Sequence, residues 1–200
     1  PEQALLEQTR VAGALPDPSG DFLQVVTQNA GPSKIDWFQR RAITYDVDYE
    51  RSTGEVEATL GVAITNDAPD AGLPPLVIGG AFGKGLGWSR TWLNVYTPLT
   101  LLGAEIDGAA FNLNPEREWG RNVYTAHVEI APRSTVTLRL RLAGRPFVTD
   151  RPYVLDLGMQ PVINPDEVKI RVAGEDWRDA SGLTVRDGVA SAEFAQDRPR

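Results

Sequence analysis

From Ile43 to Asn66 apolar and polar residues alternate. Ile43, Tyr45, Val47 and Tyr49 are interleaved with Thr44, Asp46, Asp48 and Glu50. Val56, Ala58, Leu60, Val62 and Ile64 are interleaved with Glu55, Glu57, Thr59, Gly61, Ala63 and Thr65. Side chains on a strand point to opposite faces with period two, so the stretch predicts two long strands, each with one apolar and one wet face. Arg51-Ser52-Thr53-Gly54 supplies the turn between them, with Gly54 free to adopt a positive φ. Shorter alternating segments follow the same rule at Phe22 to Thr27, Thr91 to Tyr96, Leu99 to Ile106 and Ala109 to Leu113. Others are Val123 to Ile130, Thr135 to Leu142, Tyr153 to Met159, Glu167 to Val172, Gly182 to Val185 and Val189 to Phe194. The Asp107-Gly108 pair is a two-residue hairpin signal.

About ten short strands separated by turn residues predict an all-β fold, an antiparallel immunoglobulin-like β-sandwich. The helical candidate is Pro1 to Ala14, ended by Pro16 and Pro18-Ser19-Gly20. Residues 1–40 read as the end of a preceding domain docked on the sandwich. Residues 41–200 read as the sandwich itself, with the last hairpin (166–195) as a possible appendage. Within the first forty, GPSKIDWFQRR suggests a single helical turn leading into the long hairpin. Asn66 to Arg90 is a long irregular connection rich in Gly and Pro, of a length that in compact domains is usually functional or disordered.

Composition narrows the function classes. The net charge of -7 argues against a phosphate-backbone partner, which calls for a basic surface. With no cysteine, disulfides and thiolate metal sites are excluded. His127 is the single histidine and falls on the outward face of its strand, so no Ser-His-Asp, Cys-His or histidine-zinc set can be assembled. An enzyme would have to work with carboxylates, and no pair stands out; the expectation is a non-enzyme without a cofactor. No apolar run reaches the roughly 20 residues of a membrane span. The chain starts at Pro1, which reads as a piece excised or processed from something longer.

Several motifs invite a functional reading. The loop Gly79-Gly80-Ala81-Phe82-Gly83-Lys84-Gly85-Leu86-Gly87 fails as a phosphate loop, because no Ser or Thr follows the lysine and a strand, not a helix, comes next. It reads better as a loop at one end of the sandwich that offers Phe82, Lys84, Trp88 and Arg90 to a partner or a sugar ring; a Trp88 that plugs the sandwich edge is an equal alternative. Of the five tryptophans, Trp119 and Trp177 lie by predicted turns and would be the glycan-stacking pair. Glu116, Glu118, Asp176 and Asp179 are the carboxylates nearby in sequence. Trp37 and Trp92 read as core residues. The outward carboxylates Asp46, Asp48 and Glu57 are weak calcium candidates; a solvated face that discourages edge pairing explains them as well.

The stretches DFLQVVTQNAGPSKID, ITYDVDYERSTGEVEATLGVAITNDAPDAGLPPLVIGG and RTWLNVYTP carry a family resemblance. So do Asn122 to Leu142 and Gln160-Pro161-Val162-Ile163-Asn164-Pro165-Asp166. Over most of residues 20–172 the chain resembles the C-terminal region of actinobacterial envelope proteins carrying domain of unknown function 4012. The resemblance implies a parent protein anchored by an N-terminal transmembrane helix, with its bulk outside the cytoplasmic membrane. It brings no catalytic signature. The expectation is a non-catalytic, extracytoplasmic module that binds or scaffolds an envelope protein or a wall polysaccharide. Alternatives are a glycan-binding or carboxylate-based glycan-active module, and a passive spacer.

Overall fold

The structure, a computed structural model, describes residues 20–80, 83–118, 120–146 and 153–172 in full, and residues 178–179, 185–186 and 189–194 as backbone. The helical candidate 1–14 lies outside the described residues. The alternating segments form two seven-stranded sheets, several of whose members are two-residue pieces. One sheet holds β1 (Asp21–Asn29), β4 (Ser89–Thr97), β7 (Asn114–Glu118), β8 (Arg121–Ile130), β10 (Tyr153–Gly158), β13 (Val185–Arg186) and β14 (Val189–Phe194). The other holds β2 (Gln39–Glu50), β3 (Glu55–Asn66), β5 (Thr100–Ile106), β6 (Ala109–Ala110), β9 (Ser134–Gly144), β11 (Glu167–Val172) and β12 (Arg178–Asp179).

Strand parity decides what is buried. Tyr45, Leu60, Val62, Leu138 and Leu140 from one sheet share a continuous core with Leu23, Leu93, Val95, Val128 and Leu155 from the other. Two sheets whose apolar faces bury each other form a sandwich. The 43–66 hairpin pairs in unbroken register from Gln39↔Asn66 to Glu50↔Glu55, and Gly54 at its turn has φ 73°. At the second predicted hairpin Asp107 (φ 49°) and Gly108 (φ 81°) both take the left-handed conformation that the tight turn requires.

Three expectations are corrected. The sandwich is not wholly antiparallel: β1 runs parallel to β10, and β2 parallel to β11. Both β1→β2 and β10→β11 leave the first sheet for the second, and the two crossings lie side by side, which makes both pairs parallel. The division at residue 40 is also displaced. β1 is paired along both edges, by β4 and β10, so residues 21–40 are built into the sandwich and not docked on it. Finally, Trp37 and Trp92 are not core residues, being 62% and 37% exposed. Leu93 and Val95 take the inward positions of β4, so Trp92 must face outward, where it meets the His127 ring edge-on at 4.3 Å.

The long connection 66–88 is less irregular than its composition suggests. Pro75–Ile78 makes one helical turn, and Ile35–Phe38 makes the 3-10 turn anticipated before the hairpin. Ile35, Ala68 and Ile78 form a second small core between them, with Phe38, Val77 and Leu86 packed against it. Asn66 holds this region to the sandwich. Its side-chain amide donates to the carbonyls of Gly87 (2.7 Å), Ile130 (3.2 Å) and Ala131 (3.1 Å), and its side-chain oxygen accepts from the Ala68 amide.

Candidate functional site

A groove of about 810 Å³ opens on the outer face of the second sheet. It follows from one glycine. Across β2, β3 and β9 the outward residues fall into rows, Thr44–Gly61–Arg139 and Asp46–Thr59–Arg141 among them, and Gly61 leaves the central strand without a side chain. The Thr44 hydroxyl leans into that space; a Cβ at Gly61 would lie 2.4 Å from Thr44 Oγ1. The Arg141 guanidinium reaches across to β5, where a Cβ at Gly103 would stand 3.2 Å from Nη2. Asp48 and Glu57 face each other directly across the β2–β3 pairing.

The lining includes Arg139, Arg141 and Arg171, and Asp46, Asp48 and Glu57, so the groove balances its charges without spreading them evenly. Asp46 accepts from Arg171 Nε at 2.5 Å. The other four, Asp48, Glu57, Arg139 and Arg141, have no hydrogen bond or ion pair among the described residues. The calcium candidates therefore do not assemble. Asp46 is committed to Arg171, and no cluster of three or more His, Asp or Glu suited to a metal exists among the described residues.

The loop candidates partly converge. Lys84 Nζ stands 4.6 Å from the centre of the Trp88 ring and 3.2 Å from Glu129, whose strand position is opposite Arg90. Lys84 is exposed, while Trp88 and Arg90 are half-buried. The loop's cation thus already has an aromatic and an anionic neighbour. Phe82 lies outside the described residues, as do Trp119 and Trp177. Of the carboxylates grouped with those tryptophans, Glu118 accepts from Tyr96 Oη (3.0 Å) and Glu116 from Thr125 (3.3 Å). Burial first and Glu118 second push the Tyr96 hydroxyl up to about 12. The side chains of Asp176 and Asp179 lie outside the described residues.

Two buried polar centres were not anticipated from the sequence. Arg41 sits on the inward face of β2, where its Nε and Nη2 grip both oxygens of Asp166 at 2.7 and 2.6 Å. Its Nη1 donates to Thr27 Oγ1 (2.9 Å) and Gln160 Oε1 (2.7 Å). Gln160 in turn exchanges two hydrogen bonds with the Thr27 backbone, and Asn164 donates to the carbonyls of Trp37 and Gln39. A cavity of about 130 Å³ lies against this cluster. The second centre is Asp21, wholly buried between the sheets. Tyr45 and Tyr153 donate to the same carboxylate oxygen at 2.8 and 2.6 Å, and the Phe22 amide donates to the other. Burial outweighs these three bonds and raises the Asp21 carboxyl to about 6. The same burial, aided by the Asp21 charge, lifts both tyrosines well above the ordinary phenol range. The parity of Arg41 with Ile43 and Tyr45 was a readable sign of the first centre; the second joins residues 132 positions apart and left none.

The sequence matches no family model and no curated protein. Among solved structures, a candidate nutrient binding protein of Legionella pneumophila superposes with a TM-score of 0.48 at 7% identity, covering 90% of this chain and 69% of that one. Yeast LTA4 hydrolase gives 0.41 at 8% identity, covering 90% of this chain and 33% of the hydrolase. An M1 zinc metallopeptidase of Deinococcus radiodurans gives 0.34 at 14% identity, covering 78% and 38%. The chain thus spans 33% of the hydrolase and 38% of the metallopeptidase.

Proposed function

We propose that this chain is a non-catalytic, extracytoplasmic binding module that holds or scaffolds a cell-envelope component in the groove over Gly61. The observation that carries the reading is the groove itself, in which four charged side chains have no hydrogen bond or ion pair among the described residues. Charged groups on a plain solvated face have no need of a concavity, whereas ligand sites combine a concave surface with a few well-placed polar groups. The extracytoplasmic setting is supported by the resemblance over residues 20–172, and so is a membrane anchor elsewhere in the parent protein. An immunoglobulin-like relationship belongs to the same proposal, supported by the two facing sheets with a shared core.

The test is capture from an actinobacterial envelope extract on the immobilised chain, beside a variant with Arg139→Ala and Arg141→Ala. A second control carries Phe82→Ala, Trp88→Ala and Arg90→Ala in the loop. A component retained by the wild type and lost by the groove variant supports the reading. Loss only with the loop variant moves the site to the loop. No capture by any form favours a passive spacer. The glycan reading is checked separately by tryptophan fluorescence during titration with wall polysaccharide fragments, where an unchanged spectrum counts against it.

A further inference from the structure

The unpaired charges of the groove are sorted by sign. Asp48 and Glu57 occupy one cross-strand row, where two like charges directly opposite each other are unfavourable unless a cation comes between them. Arg141 is opposite Thr59, and Arg139 opposite Gly61, two and four residues further along β3 from Glu57. Asp46 and Arg171 neutralise each other, which leaves two anions at one end and two cations along the other side. At about 3.4 Å per residue and 4.8 Å between strands, Glu57 lies roughly 8 Å from Arg141 and 14 Å from Arg139, backbone to backbone. Between the two charged ends the floor is Thr44, Thr59 and Gly61, small and rich in hydroxyls.

Resting on the reading of this groove as a binding site, we infer that it takes an extended peptide segment bearing a cationic and an anionic group two to four residues apart. The cation would settle between Asp48 and Glu57, relieving their mutual repulsion. The anion would be met by Arg139 or Arg141, whose guanidinium groups suit a carboxylate bidentately. An extended backbone advances at the same rise per residue as the strands beneath it, so its side-chain spacing matches the row spacing. The threonine hydroxyls can donate to or accept from its amide groups. A polyanion would meet Asp48 and Glu57 as repulsion, and a polycation would meet Arg139 and Arg141 in the same way; the layout disfavours both.

Calorimetric titration of the whole chain with four end-blocked pentapeptides tests this. All share a Ser/Thr/Gly background and carry Lys and Glu three apart, two Lys, two Glu, or no charge. The expected result is that the mixed-charge peptide binds about tenfold more tightly than each of the others, a preference that shrinks as salt rises. Arg139→Ala with Arg141→Ala should abolish the contribution of Glu alone, and Asp48→Asn with Glu57→Gln that of Lys alone. All four positions are exposed, so melting temperature provides the folding control. Equal binding of all four peptides, or none at millimolar concentration, overturns the inference. Tighter binding of an oligogalacturonate than of the mixed-charge peptide overturns it in favour of an acidic glycan. If envelope capture still depends on Arg139 and Arg141 while the peptides show no preference, only the ligand class is wrong. If capture is absent as well, the binding reading falls with it.

Discussion

The guanidinium of Arg41 is held by both carboxylate oxygens of Asp166, 125 positions away, with each side chain only 2–3% exposed. The pair joins β2 to the segment between β10 and β11, and Gln160 ties that segment to β1. The two crossings between the sheets are therefore fastened together at one end of the sandwich.

Removing one member of a buried pair strands the other. Arg41→Met leaves Asp166 without its cation and Gln160 Oε1 without its side-chain donor, at an expected cost of about 3–5 kcal/mol. Arg41→Met combined with Asp166→Leu should cost clearly less, because no uncompensated charge remains. Urea denaturation of both variants measures the difference. Equal losses for the two would mean that packing, not charge pairing, is what the site supplies.

The Asp21 centre gives stability a pH dependence opposite to that of most carboxylates. Its folded value, about 6, lies above the ordinary value of 3.8, so the folded state holds the proton more tightly. The stabilisation is complete below pH 3.8 and is lost as pH rises through 6, about 3 kcal/mol in all. Asp21→Asn removes the titration. Between pH 4 and pH 7 the wild type should lose about 2 kcal/mol of this relative to the variant in urea unfolding, and parallel pH profiles would exclude the effect.

Two glycines of the 79–88 loop separate strain from crowding. Gly87 has φ 82°, and a Cβ there would lie 2.5 Å from the Pro69 carbonyl oxygen and 2.9 Å from Pro132 Cβ. Gly83 has φ 73°, and a Cβ there would meet nothing within 4 Å among the described residues. Gly83→Ala should cost about 1–2 kcal/mol from backbone conformation alone. Gly87→Ala adds a clash with backbone and should cost more. Thermal unfolding orders the two.

The same loop depends more on Asn66 than on Lys84. Asn66→Ala leaves buried carbonyls without donors, which calls for a loss of about 2–3 kcal/mol. Lys84→Ala breaks an exposed ion pair and a surface cation–π contact, together worth about 1 kcal/mol. Hydrogen exchange at the Gly87 amide, which donates to the Ile78 carbonyl at 2.8 Å, reports the loosening in each case.

Period-two alternation made strands such as Glu167–Val172 legible because they have one buried and one wet face; its span and that of Val189–Phe194 coincide with the predicted ones. Asn114–Glu118 was not legible, since all five of its side chains are exposed and no apolar face marks it. Strand direction was not legible either. It is set by which face of the sandwich each connection crosses, and alternation is the same for parallel and antiparallel neighbours. In the groove, parity placed Asp46, Asp48, Glu57, Arg139 and Arg141 outward. What it lacked was the register that puts Gly61 between Thr44 and Arg139 and so turns a flat row of charges into a concavity.

The parallel pairings also set a timetable for synthesis. β1 and β2 leave the ribosome before β10 and β11, which cover one edge of each and are translated more than a hundred residues later. Until about residue 172 has emerged, both early strands present open backbone edges of the kind that invites pairing with other chains. A nascent chain halted within β9 (Ser134–Gly144) would hold every strand of the long hairpin and still lack the segment that closes them.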